Sequence, residues 1–139
     1  MRSLKARKSS SNGRPVQARI LVVDDEPEVA RVTMRVLRRE RFEVRVATDG
    51  ASALEVLASF KPHLVISDYC MPGMNGVELL REVRRANPRT ACLMISAYAN
   101  LAAEPLAGAE RFRVLSKPWE RRELLAAVRE TILSQETGS

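Results

Sequence analysis

The chain has only two cysteines and one histidine, and it has no apolar run long enough to cross a bilayer. Cys70 and Cys92 follow no metal-ligand spacing, which excludes a thiol metal site and points to reduced thiols in a reducing compartment. Cys92 reads as plain core. His63 has no second ligand or partner nearby in sequence, so it is neither a metal ligand nor a catalyst. A charged-then-apolar signal peptide is also missing, so a soluble, cytoplasmic protein with no membrane partner is expected. With 139 residues and 45% hydrophobic content there is room for one domain with one core, and none for a second.

Acids are absent before Ile20, and this changes how the net charge of +6 is read. Arg2, Lys5, Arg7, Lys8, Arg14 and Arg19 supply the whole excess, and the folded part is neutral. Residues 1–18 join these charges to Ser9, Ser10, Ser11, Asn12, Gly13 and Pro15, with almost nothing apolar to bury. They read as a disordered tail. A solvated extension explains it without a nucleic-acid partner, which would instead show affinity falling steeply with salt and vanishing on deletion of 1–18.

What is present is a series of short apolar runs, each ended by polar residues. Ile20, Leu21, Val22 and Val23 form a strand followed at once by Asp24, Asp25, Glu26 and Pro27. Pro27 suits a first helical turn, and Glu26 and Glu28 complement the positive end of the helix dipole. A helix over 27–40 is predicted, with Val29, Val32, Val36 and Leu37 inward. Residues 42–46 alternate as a half-exposed edge strand does. Thr48, Asp49 and Gly50 open a helix that turns Ala53, Leu54 and Leu57 inward and ends before Lys61 and Pro62. His63 begins the next strand, Leu64, Val65 and Ile66, which delivers Asp68 to a Pro- and Gly-rich turn. A helix over 76–86 buries Val77, Leu80 and Val83 and stops at Asn87 and Pro88. Residues 91–95 are another apolar strand, ending in Ser96 and Ala97. Residues 112–116 are the last strand, followed by Lys117, Pro118, Trp119 and a helix burying Leu124, Leu125, Val128 and Ile132.

Such alternation implies an α/β fold, a doubly wound parallel sheet with helices on both faces, because right-handed crossovers leave few other ways to bury these strands. The C-terminal strand ends then share one rim, where ligands of open α/β sheets bind. Asp24, Asp25, Asp68, Ser96 and Lys117 collect there. A helix cap explains one acid, not an adjacent pair plus Asp68 on another strand. Two carboxylates about 4 Å apart repel by roughly 4 kcal/mol at an effective dielectric near 20, so this pocket raises its pKa values or recruits a cation. A few oxygen ligands favour Mg²⁺. Lys117 and the Ser96 hydroxyl add positive charge and a hydrogen bond. These are the needs of phosphoryl transfer to a carboxylate.

The Asp24-Asp25 pair, Asp68 followed by Met71, Pro72, Gly73, Met74, Asn75 and Gly76, then Ser96-Ala97 and Lys117-Pro118-Trp119 resemble the receiver domain of two-component response regulators. The resemblance covers residues 19–134 and leaves 135–139 as a C-terminal tail. It implies a flavodoxin-like (βα)5 single domain with strand order 2-1-3-4-5. It implies that Asp68 is the phospho-acceptor, and that Asp25, Asp68 and the Cys70 backbone carbonyl ligate Mg²⁺, with Asp24 acting through water. It further implies that Ser96 bonds the phosphoryl group, that Lys117 pairs with it, and that Cys70 and Tyr98 flank the path of the hydrolytic water. The donor is then a phosphohistidine on a sensor histidine kinase or histidine phosphotransfer protein, and the readout is a downstream protein target or a homodimer, in a phosphorelay. The domain is no independent enzyme. It promotes only its own phosphorylation and dephosphorylation.

Three features depart from the family pattern. Val114 stands where an aromatic residue usually precedes the lysine, and Phe112 shares its face rather than replacing it. The interval from Ser96 to Lys117 is short, and Pro105 falls inside the helix expected there, at about 3 kcal/mol for an interior proline. Only 135–139 follow the last helix, too few for an output module. A receiver cut from a longer regulator and a phosphorylation-independent interaction domain are the alternatives. A Mg²⁺-dependent aspartyl phosphatase needs a second acid two residues after its nucleophile, where this chain has Cys70.

Overall fold

The computed structural model describes residues 17–97 and 112–138, the stretch 136–138 as helical backbone. In chain order the elements are β1 (Arg19–Val23), α1 (Pro27–Arg39), β2 (Glu43–Ala47), α2 (Gly50–Phe60), β3 (Leu64–Asp68), α3 (Gly76–Ala86), β4 (Ala91–Ser96), β5 (Arg113–Ser116) and α4 (Arg121–Gly138). The strands pair in parallel in the order β2-β1-β3-β4-β5, the flavodoxin-like arrangement expected from the sequence. Strand alternation divides the core between the two faces. Ile20, Val22, Leu64, Ile66, Leu93 and Ile95 meet α1 and α4 on one face. Leu21, Val23, Val65, Cys92 and Met94 meet α2 and α3 on the other. Each fully buried Leu or Ile contributes about 1.5–3 kcal/mol.

The helices start where the local chemistry prescribes. Pro27 occupies the first turn of α1, and Asp49 caps α2 by accepting from the Ser52 N–H at 2.7 Å. Asn75 and Glu78 form a capping box on α3, each side chain accepting from the other's backbone N–H. Leu124, Leu125, Val128 and Ile132 of α4 are buried as predicted.

One face is corrected. α1 buries Ala30, Thr33 and Leu37, whereas Val32 is 48% exposed. At about 100° per residue, Val32 lies roughly 160° from Ala30 around the helix. Thr33 takes the inward place because its hydroxyl donates to the Val29 carbonyl at 3.1 Å, leaving nothing polar unpaired. The ends of the domain also extend beyond expectation. Gln17 donates from its backbone to the Arg41 carbonyl at 2.9 Å and Ala18 is fully buried, so both belong to the folded part. α4 continues to Gly138, past residue 134. The basic residues 1–16, Tyr98, and the helix expected around Pro105 lie outside the described residues.

Candidate functional site

Parallel strands bring their C-terminal ends to one edge. β1 hands the chain to Asp24 and Asp25, β3 ends in Asp68, β4 ends in Ser96, and Lys117 follows β5. Beyond β3, the Tyr69 N–H donates to the Ile95 carbonyl and the Gly76 N–H donates to the Tyr69 carbonyl, both at 2.9 Å, which folds the intervening loop back on the strand. Gly73 turns that loop at φ +79°, a left-handed conformation that side chains disfavour.

Asp24, Asp25 and Asp68 each offer a carboxylate oxygen, and these atoms all lie within 4.8 Å of one another. Asp24 and Asp68 are buried and Asp25 is half-buried. The Lys117 ammonium reaches Asp68 Oδ1 at 3.0 Å and Asp24 Oδ2 at 3.9 Å. Asp24 Oδ1 also accepts from the Glu26 N–H at 2.9 Å, so Asp24 serves the start of α1 as well as the acidic cluster. Ser96 is 1% exposed, and its carbonyl accepts from the Lys117 N–H at 2.8 Å, tying the ends of β4 and β5 together. A cavity of about 300 Å³ opens among these groups, lined by Asp25, Glu26, Asp68, Cys70, Ser96, Ala97 and Lys117.

Burial raises the pKa of Asp24 above the ordinary carboxylate value, helped by the charges of Asp68 and Asp25, although the Glu26 N–H and Lys117 oppose it. Burial alone would lower Lys117. Its hydrogen bond and attraction to Asp68, with Asp24 and Glu26 behind, outweigh that and raise it. The pocket thus gathers more negative charge than Lys117 neutralises. An all-oxygen cluster of this kind fits a hard divalent cation in its donor chemistry.

Tyr98 lies outside the described residues, and Asp24, Asp25, Asp68, Ser96 and Lys117 lie together at this edge. Cys70 stands on its rim with an exposed side chain, and Cys92 is core. His63 sits at the opposite edge of the sheet, where its Nδ1 accepts from the Arg19 N–H at 3.0 Å, a structural task. Phe112 and Val114 pack into the same cluster, as the alternation of β5 requires, and the Arg84 guanidinium lies 4.3 Å from the Phe112 ring centroid. Two participants went unnoticed in the sequence. Glu26 was assigned only to the helix dipole yet lines the cavity. Ser67, inside β3, is fully buried, and its hydroxyl donates to the Asp68 carbonyl at 3.0 Å. The one available signal was a lone hydroxyl inside an apolar run.

Comparison with known proteins follows the same lines. The model of the response regulator receiver domain matches residues 20–129. The chain is similar to the DNA-binding response regulator MtrA of Mycolicibacterium smegmatis, 38% identical over 117 residues, covering 82% of this chain and 50% of that protein. It therefore spans about half the length of that regulator. Among solved structures, a response regulator receiver domain protein from Clostridium thermocellum superposes with a TM-score of 0.78 at 27% identity, covering 88% of this chain and 99% of that one. The signal receiver domain of an HD domain-containing protein from Pseudomonas fluorescens gives 0.77 at 31%, covering 86% and 97%.

Proposed function

As the chain belongs to the response regulator receiver domain family, we propose that Asp68 is its phospho-acceptor and that Asp24, Asp25, Ser96 and Lys117 serve that one carboxylate. The observation that carries this reading is the Lys117 ammonium 3.0 Å from Asp68 Oδ1, beside two further acids and an open cavity. A carboxylate oxygen of Asp68 attacks the phosphorus of a phosphohistidine in line. The phosphorus–nitrogen bond breaks, the electron pair stays on the imidazole nitrogen, and that nitrogen takes a proton from water. Lys117 and the Ser96 hydroxyl donate to the phosphoryl oxygens as charge shifts onto them. Asp25, Asp68 and the Cys70 carbonyl would hold Mg²⁺, with Asp24 acting through water, and the bound cation would supply positive charge against the acids and the phosphoryl oxygens. Hydrolysis of the acyl phosphate returns Asp68 to its carboxylate, and no separate substrate is turned over.

A sensor histidine kinase or a histidine phosphotransfer protein in the cytoplasm is the donor. The readout is a changed contact with a downstream protein, a homodimer being one form of it. Among the described residues no helix is long and apolar enough to cross a membrane. The test is intact mass after incubation with Mg²⁺ and acetyl phosphate, beside an Asp68→Asn variant. A gain of one phosphoryl group that needs Mg²⁺ and disappears in the variant is the expected result. No gain with any donor refutes it and leaves an interaction domain.

A further inference from the structure

Gly76, the first residue of α3, is packed directly on the peptide that follows the phospho-acceptor. A Cβ built on Gly76 would lie 2.6 Å from the Asp68 carbonyl oxygen, 3.2 Å from its carbon and 3.0 Å from Tyr69 Cα. All three are backbone atoms, so no flexible side chain can swing away to make room. The same carbonyl oxygen accepts from the buried Ser67 hydroxyl at 3.0 Å. The start of α3 is tied to the chain leaving β3 by the Gly76 N–H donating to the Tyr69 carbonyl. The Asp68 carbonyl is therefore confined from two sides, by a hydroxyl on its own strand and by the start of a helix that cannot shift without disturbing the Gly76–Tyr69 hydrogen bond.

We propose that Gly76 and Ser67 are positioning residues for phosphoryl transfer, which set the height and direction of the Asp68 side chain by fixing its carbonyl. This rests on the reading of Asp68 as the phospho-acceptor. The physical reason is the steepness of in-line transfer with distance, since misplacing a reacting atom by about 1 Å costs on the order of a hundredfold in rate. A methyl group at residue 76 must push the Asp68–Tyr69 peptide by several tenths of an ångström, because carbon and oxygen in contact stay more than about 3 Å apart. Removing the Ser67 hydroxyl frees the carbonyl more gently and leaves a smaller error.

The experiment measures the rate constant of phosphorylation by acetyl phosphate at saturating Mg²⁺ and saturating donor, well below the melting midpoint. Wild type, Gly76→Ala and Ser67→Ala are compared, and Mg²⁺ affinity is measured by calorimetry on the same proteins. Gly76→Ala is expected to slow transfer about ten- to a hundredfold, and Ser67→Ala about three- to tenfold, with smaller losses in Mg²⁺ affinity. A role confined to stability would lower the melting midpoint and leave the rate constant of the folded protein unchanged. Should Gly76→Ala fail to fold, Ser67→Ala decides alone. Folded variants reacting at the wild-type rate overturn the inference. A wild type that gains no phosphoryl group overturns the assignment of Asp68 instead, and this inference falls with it.

Discussion

Lys117 Nζ stands 3.0 Å from Asp68 Oδ1, although the two residues leave the sheet from different strands. The pair is partly buried, with side-chain exposures of 26% and 10%, so the attraction is stronger than that of a surface ion pair. It offsets the crowding of three carboxylates. Lys117→Gln is expected to lower the stability of the metal-free protein by about 1–2 kcal/mol, by analogy with lost hydrogen bonds to charged groups. Urea titration with and without Mg²⁺ checks this. The loss should shrink when the cation is present, because the ion takes over part of the neutralising task.

Asp24 gives a pH dependence with a definite sign. Its folded-state pKa is raised, first by burial and then by Asp68 and Asp25, so between the unfolded value near 3.8 and the raised folded value the native state binds more protons than the unfolded state. Stability from this group therefore falls as pH rises through that window. In a chelator, the melting midpoint of Asp24→Asn should overtake that of the wild type as the pH climbs from about 4 and hold a constant lead above the folded pKa. A lead that grows toward acid pH would contradict the assignment.

Mg²⁺ should stabilise the fold by mass action. A ligand that binds only the native state adds about 2.7 kcal/mol at a hundred times its dissociation constant. The melting midpoint is expected to rise with Mg²⁺ and return on chelation, while Asp25→Asn and Asp68→Asn lose most of the rise. Calorimetric scans across a Mg²⁺ series read this directly.

Asp49 shows the opposite sign. The Ser52 N–H at the start of α2 holds its carboxyl below the ordinary value. A lowered folded pKa contributes stability that is present above the unfolded value and lost as pH falls through the folded one. Asp49→Ala should lower the melting midpoint at neutral pH, with the deficit closing below about pH 4, the ordinary carboxylate range. Asp49→Asn keeps the acceptor and should retain most of the midpoint.

The corrected face of α1 is tested by substitution. Val32→Lys is expected to leave stability within about 0.5 kcal/mol, and Leu37→Ala to cost roughly 2–5 kcal/mol. Equal costs in denaturant melts would restore Val32 to the core.

The legible parts of this protein are those in which neighbouring residues decide. Leu64, Val65 and Ile66 followed by Asp68 and a Pro-Gly turn announced a strand with an acid at its end, Val23 is likewise followed by acids, and Ile95 is followed by the polar Ser96. The capping residues Asp49 and Asn75 stood where the helices begin. Buried hydroxyls are less legible. Apolar periodicity points to Val32, whereas Thr33 is the buried residue, since a hydroxyl bonded to the carbonyl of its own helix four residues back can be buried at little cost. The Ser67 hydroxyl, bonded to the Asp68 carbonyl, is a second case.

By itself the sequence determined which residues stand at the strand ends, because apolar runs, turn residues and helix starts are set by interactions along the chain. Alternation and the handedness of crossovers led to a parallel sheet with helices on both faces, whereas the strand order came with the family resemblance. Only the tertiary structure decided the distances between residues from separate elements. The 3.0 Å from Lys117 to Asp68, the three acids within 4.8 Å, and the Asp68 carbonyl lodged between Ser67 and Gly76 depend on strand register and on how deeply α3 seats on β3. The raised pKa of Asp24 belongs with these. It measures burial and the field of groups from other strands, and neither quantity exists until the sheet has assembled.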